Sequence, residues 1–167
     1  MEKSTRHSKI AGDFGENLIL YWLSRSGFEA TLVDHTGIDI VAFRQKAGKP
    51  PGEGERIGIS VKSRSKKEKA SKGLLVNGKD YKKIKEACKF FGCNTESIAF
   101  VFDRASSHDK GKIEVYLLTL QKLDTFYPVF AEGKDFTFSV APVMVGKYEK
   151  AREIRKVEFD YTMTDWP

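Results

Sequence analysis

The sequence contains little cysteine and no long apolar run. Cys88 and Cys93 are the only cysteines among 167 residues, and there are three histidines. Two cysteines without nearby histidines argue against a structural metal site, and we expect both thiols to be reduced. No stretch approaches the roughly 18 apolar residues of a membrane span. Because the first residues are polar and resemble no signal peptide, we expect a cytoplasmic protein without a membrane partner.

Phosphate-loop and repeat patterns are also absent from the sequence. The glycine- and proline-rich stretch 45–55 has no phosphate-binding motif and no following helix, so we interpret it as a hairpin connection. The length and a hydrophobic fraction of 40% are typical of a folded domain with a full core. We predict one domain over residues 1–167, with its core at about 10–120 and a C-terminal elaboration at about 121–167.

Positive charge is concentrated in one segment of the chain. The formal net charge is +6, and the segment from Lys62 to Lys89 holds 11 basic and three acidic residues. A basic block of this kind favours an anionic partner, most often nucleic acid. A solvated loop followed by a solvated helix face would account for the same charges, and this alternative stays open.

The spacing of apolar residues predicts a helix, three strands, a second helix and further strands. Asp80 is a plausible N-cap of the second helix, and Gly92 is expected to end that helix. Thr119 is a plausible N-cap of a short helix that reaches about residue 127. The predicted helices cover 10–25, about 81–91, 120–127 and 148–154, and the predicted strands cover 28–33, 38–43, 56–64, 97–102, 113–120, 136–140 and 157–161.

Polar residues interrupt two of these strands at positions where packing gives no reason for them. Asp39 lies in the second strand, and Ser60 and Lys62 lie in the third. Alternation along a strand places Ser60 and Lys62 on one face, where Gly58 is expected to leave open space. A direct Ser60–Lys62 catalytic dyad is disfavoured, because residues i and i+2 of a strand are ~6.5 Å apart along it.

Each of these residues also has a structural interpretation. Glu16, in the middle of the first helix between apolar neighbours, could be stabilised by the helix dipole alone. Asp39 directly follows a turn, so it could cap that turn or form a structural ion pair with Lys62. These alternatives stay open at the level of the sequence.

The order of elements and motifs resembles the PD-(D/E)XK nuclease superfamily, and in particular archaeal-type Holliday junction resolvases and restriction-like endonucleases of the Mrr kind. The similarity covers roughly residues 12–120. It implies an α/β (α+β) fold with a restriction-endonuclease-like αβββαβ core and a mixed central sheet flanked by helices. The matching motifs are Gly15-Glu16, Gly27-Phe28, Gly37-Ile38-Asp39-Ile40 and Val61-Lys62-Ser63-Arg64.

This resemblance implies hydrolysis of DNA phosphodiester bonds with Mg²⁺ or Mn²⁺ as cofactor. Asp39 would be the main carboxylate ligand, Glu16 a second ligand acting directly or through water, and the carbonyl of Val61 another. Lys62 would orient the attacking water and stabilise the developing charge. The family has an acid, or sometimes glutamine, where this chain has Ser60, and a hydroxyl binds a hard cation far less well.

Three consequences of Ser60 are therefore open. The first is that Glu16 compensates for the missing acid, the second that Ser60 holds a water on the metal, and the third that catalysis is lost while nucleic-acid binding is kept. A non-catalytic binding module and a plain structural domain are the alternatives to an enzyme. Nucleases of this kind are often dimers, so a homodimer is a further expectation. The resemblance and the charge together predict that DNA, duplex or branched, contacts Arg64, Lys66, Lys67, Lys69, Lys72, Lys82, Lys85 and Lys89.

Overall fold

The computed structural model describes residues 5–67, 73–105, 110–151 and 154–162. It contains five helices and eight strands within these ranges. The helices are α1 (Thr5–Arg25), α2 (Lys79–Phe90), α3 (Leu120–Phe126), α4 (Pro128–Ala131) and α5 (Pro142–Lys150). The strands are β1 (Glu29–His35), β2 (Ile38–Gln45), β3 (Gly54–Lys67), β4 (Gly73–Val76), β5 (Thr95–Ala105), β6 (Lys110–Thr119), β7 (Phe136–Ser139) and β8 (Arg155–Thr162).

A six-stranded mixed sheet lies at the centre of the fold. Its strand order is β1-β2-β3-β5-β6-β8, and β4 pairs with β7 in a separate two-stranded sheet. β3 and β5 are parallel, and the other neighbouring pairs are antiparallel. The predicted α/β (α+β) architecture is confirmed: a helix and three strands precede α2 and β5, and helices flank a mixed sheet. The addition to the predicted αβββαβ order is β4, which is inserted between β3 and α2.

Both faces of the central sheet are buried. On one face α1 places Ile19 and Leu23 against strand residues such as Ile40 and Ile59. On the other face α2, the small sheet and the C-terminal helices form a larger core rich in aromatic side chains. Because both faces are covered, a polar residue within the central strands lies between two packed layers.

α1 has 21 residues, and none of the described helices is long and apolar enough to cross a membrane.

Three glycines bring the helices close to the sheet. A side chain at Gly15 of α1 would collide with the hydroxyl of Ser63 on β3, so this glycine lets α1 approach the sheet. A side chain at Gly58 would meet the sulfur of Cys88 on α2, so the open space expected beside Ser60 is filled by that helix. Gly37 has a φ of +114° and lies against the Lys83 carbonyl of α2. The start of β2 is thereby held beside α2.

The last third of the chain differs most from the prediction. The helix expected over 148–154 is wrong in position, because α5 begins at Pro142 and ends at Lys150, and proline is favoured in the first turn. β8 pairs along β6 and forms one edge of the central sheet. Phe138 and Tyr148 are buried in the same core as Ile84 of α2. The division into a core at about 10–120 and an elaboration at about 121–167 stays a prediction.

Candidate active site

The carboxylate of Asp39 is the centre of a polar cluster at the beginning of β2. Its Oδ2 accepts a hydrogen bond from the backbone N–H of Val61 on β3, over 2.6 Å. Burial raises the pKa of Asp39, although the Val61 N–H, the Lys62 ammonium and the Ser60 hydroxyl each lower it. The carboxylate is thus held between two adjacent strands, and it does not merely cap the preceding turn.

The hydroxyl of Ser60 acts on this carboxylate. The residue is only 2% exposed, and its hydroxyl lowers the pKa of Asp39, which favours the ionised form. A carboxylate at position 60 would instead repel Asp39 in a buried setting. The serine therefore stabilises the charge of Asp39 directly, and it adds no charge of its own to the cluster.

Lys62 forms its ion pair with Asp80 of α2. The Lys62 Nζ lies 2.9 Å from Asp80 Oδ2, with side-chain exposures of 27% and 20%. Lys83 approaches the other carboxylate oxygen of Asp80 at 3.8 Å. The expected alternative of a structural Asp39–Lys62 ion pair is therefore not supported, because Lys62 pairs with the carboxylate of Asp80.

Asp80 was missed as a site residue by the sequence reasoning. It was expected to cap α2, but the N-cap of α2 is Gly78, and Asp80 lies in the first helical turn. Its charge also contributes, after burial, to the raised pKa of Asp39. One signal was available in the sequence, because Asp80 is one of three acids in the basic segment from Lys62 to Lys89.

Glu16 enters the same electrostatic environment from α1. Burial raises its pKa first, followed by the negative charges of Asp39 and Asp13. The influence of a helix dipole falls off within the first turn, and Glu16 is the twelfth residue of α1 as the structure has it. The dipole interpretation of Glu16 therefore loses support, and its carboxyl group is subject to the negative charge of Asp39.

The carboxylates fit a hydrated divalent cation better than a closed metal cage. Within the part of the chain that the structure describes, no three acidic, histidine or cysteine side chains are gathered to hold a metal. Glu16 and Asp39 repel each other, so a cation would relieve a cost that the protein carries alone. Mg²⁺ keeps several waters and uses one or two carboxylates. Burial raises the pKa of the Cys88 thiol to about 12, so it is a poor thiolate ligand at neutral pH.

The predicted DNA-contacting residues fall into three groups. Lys82, Lys85 and Lys89 are exposed on the outer side of α2, where the Lys82–Glu86 pair at 3.5 Å is a weak surface contact. Arg64 donates to the Gly73 carbonyl over 2.6 Å, which holds β3 to the start of β4. Lys66 and Lys67 lie in the last pairs of β3 with β5, and Lys69 and Lys72 lie outside the described residues.

Fold and cluster together define a mixed α/β protein in which Asp39 is coupled electrostatically to side chains from the neighbouring strand and from two helices. The fold is similar to that of Hjc, a Holliday junction resolvase from the archaeal hyperthermophile Archaeoglobus fulgidus, with a TM-score of 0.41. The two chains are 18% identical, and the match covers 66% of this chain and 73% of that one. No family model and no curated protein matches the sequence. A similarity of this size assigns no activity to the chain.

Proposed function

We propose that this chain is a metal-dependent endonuclease of the restriction-endonuclease-like kind that hydrolyses phosphodiester bonds in DNA. One observation carries the proposal: the charge of Asp39 interacts both with Lys62 on the adjacent strand and with Glu16 on helix α1. One or two carboxylates can hold Mg²⁺, and a metal ion together with an ammonium can stabilise the charge that develops in phosphodiester hydrolysis. The proposal takes residues 1–167 as one domain.

Each residue has a defined task in this mechanism. Asp39 and Glu16, with the carbonyl of Val61, would hold a Mg²⁺ or Mn²⁺ ion, which neutralises phosphate charge and makes water a stronger nucleophile. The Val61 N–H orients the Asp39 carboxylate, and the Ser60 hydroxyl favours its ionised form. Lys62 orients the attacking water and stabilises the negative charge that develops on the phosphate. Asp80 holds the Lys62 ammonium in place.

A second candidate function is a nucleic-acid-binding or partner-binding module that has lost catalysis. Two observations favour it: a neutral Ser60 where the family has an acid, and an ion pair that engages Lys62. In this case the exposed lysines of α2 would bind the phosphate backbone without cleavage.

Cleavage assays distinguish the two functions. Supercoiled plasmid and a four-way DNA junction are incubated with the protein and Mg²⁺ or Mn²⁺, and again with EDTA. An endonuclease cleaves at least one substrate only with metal, and Asp39→Ala and Lys62→Ala abolish cleavage. Lys112→Ala is a matched control, since Lys112 is also a strand lysine paired with a glutamate, at 3.3 Å. Intact substrates would favour the binding module, and cleavage by both variants would reject the site.

Binding in EDTA tests the DNA contacts independently of cleavage. Each lysine that neutralises a phosphate contributes about 0.9 to the slope of log affinity against log salt. We expect Lys82→Ala, Lys85→Ala and Lys89→Ala each to weaken binding and to flatten this slope. Lys147→Ala and Lys150→Ala, at exposed positions of α5, are the controls. An affinity that does not change with salt would contradict both functions.

A homodimer and a cytoplasmic location stay predictions of the resemblance and the sequence. Sedimentation of the purified protein, alone and with a DNA junction, measures the first of these.

A further inference from the structure

An exposed aromatic pair lies at the end of α2. Phe90 is 74% exposed, and its ring stacks on that of His35, with centroids 5.3 Å apart and an angle of 18° between the planes. Phe91 contacts both rings edge-on, at 5.2 Å from His35 and 5.1 Å from Phe90. The His35 Nδ1–H donates to the Thr36 carbonyl over 2.9 Å, which fixes the imidazole orientation. The outer phenyl ring is thus held in place while most of its surface faces water.

Core packing does not account for Phe90. Its neighbour Phe91 packs against the buried cluster that contains Ile84 and Cys88. A large apolar side chain so exposed on a helix of otherwise charged surface residues gains little from burial within this chain. The exposed ring, held by His35, is available to stack on a ligand with a flat apolar face.

The helix that carries Phe90 is basic overall, with five lysines and two acidic residues. Lys83 lies seven residues before Phe90 and Glu86 four residues before it, both on the same side of the helix. The same side carries Asp80, whose carboxylate holds Lys62. The ligand of Phe90 is therefore expected to combine a flat apolar face with negative charge.

We infer that Phe90, backed by His35, is a stacking platform for an unpaired nucleobase. The inference rests on the proposed function in taking nucleic acid as the ligand, and it adds the substrate class: DNA with bases that are not paired. Every base has a π-face that can stack on an aromatic ring, and aromatic platforms of this kind occur in single-strand-binding proteins. Bases inside a duplex are covered by their neighbours, so the platform selects single-stranded or branched segments.

The distance along α2 fixes which base can reach the platform. Ten residues separate Asp80 from Phe90, and a helix rises about 1.5 Å per residue, which gives about 15 Å. A stacked strand advances about 3.4 Å per nucleotide, so this distance equals about four nucleotides. A strand with its phosphate at Lys62 therefore places a base about four nucleotides away on Phe90.

Affinity measurements in EDTA test the platform without cleavage. The probes are a fluorescent single-stranded oligonucleotide and its duplex, titrated with the wild-type protein, Phe90→Ala, Phe90→Trp and His35→Ala. We expect Phe90→Ala to weaken single-strand binding by about tenfold and to leave duplex binding unchanged, while Phe90→Trp retains affinity. His35→Ala should lie between them. Val143→Ala is the control, since Val143 is also 74% exposed, on α5.

The possible outcomes separate this inference from the proposed function. If Phe90→Ala matches Val143→Ala on both probes while the lysine variants of α2 still weaken binding, the platform is wrong and nucleic-acid binding stands. Absence of any salt-dependent binding by the wild-type protein would overturn both. If Phe90→Ala changes the oligomeric mass measured by sedimentation but neither DNA affinity, the ring is a contact between protein chains, and the inference is overturned as well.

Discussion

The ammonium of Lys62 lies 2.9 Å from the Asp80 carboxylate and joins the third strand of the sheet to the first turn of α2. Both side chains are largely shielded, so their attraction is screened less than that of surface pairs. The helix that carries the exposed lysines is thereby tied to the residue proposed to act on the phosphate.

Asp80→Ala is expected to lower cleavage by about 10- to 100-fold, because Lys62 loses the group that positions it. Burial and, to a lesser degree, the Asp80 charge raise the pKa of Asp39. Removal of that charge should lower the pKa of Asp39 and move the acid limb of the rate profile to lower pH. Rates measured between pH 5 and 9 check both effects. Lys83→Ala, which removes only the 3.8 Å contact to Asp80, is the control and should change little.

Asp39→Asn is expected to raise the melting temperature at neutral pH in EDTA. The folded-state pKa of Asp39 is raised above its unfolded value, mainly by burial, so ionisation destabilises the folded protein as pH rises. The amide keeps an acceptor for the Val61 N–H and carries no charge. The gain should be largest at pH 7.5 and shrink as pH falls, because Asp39 is then protonated in both states. A gain that is independent of pH would contradict this account.

Gly15→Ala is expected to destabilise the protein by about 1–3 kcal/mol, because the new methyl group collides with Ser63 under α1. Displacement of α1 also moves Glu16, so cleavage should fall beyond what the loss of stability explains. Gly12→Ala is a matched control, since it has no atom within 4 Å of the added carbon, and should stabilise the helix by about 0.5–1 kcal/mol. Chemical denaturation and activity assays measure both. Equal effects of the two substitutions would show that α1 does not approach the sheet closely at Gly15.

Ser60→Glu is expected to lower the melting temperature in EDTA and to make it depend more strongly on Mg²⁺. The added carboxylate would be buried beside Asp39, and a bound cation would offset the repulsion. Ser97→Glu provides the comparison, since Ser97 is a strand serine that is only 4% exposed. Ser97→Glu should also lower the melting temperature, and Mg²⁺ should not restore it. Metal affinity that falls in Ser60→Glu would show that position 60 is not a ligand position.

Local sequence patterns were sufficient to predict most of the helices and strands in the first two thirds of the chain. α1, β2 and β3 are a helix and two strands, as predicted. Helical periodicity and strand alternation both depend only on residues that are close together in the sequence, so they can be recognised there. The Thr119 cap of α3 is confirmed, with its side chain accepting from Lys122 N–H. β4 was not predicted, since its four residues pair with β7, which lies 60 to 66 residues later in the chain.

The sequence alone determined the helix, the three strands and the second helix that form the αβββα part of the core, and the unusual polar positions Asp39, Ser60 and Lys62, because periodicity and strand length are local properties. Only the tertiary structure decided what these residues meet. α1 and α2 lie on opposite faces of the sheet, so no spacing along the chain shows that the charge of Asp39 acts on Glu16 and the charge of Asp80 on Asp39. The effect of Ser60 on the pKa of Asp39, and the ion pair of Lys62 with Asp80, follow from packing between distant segments.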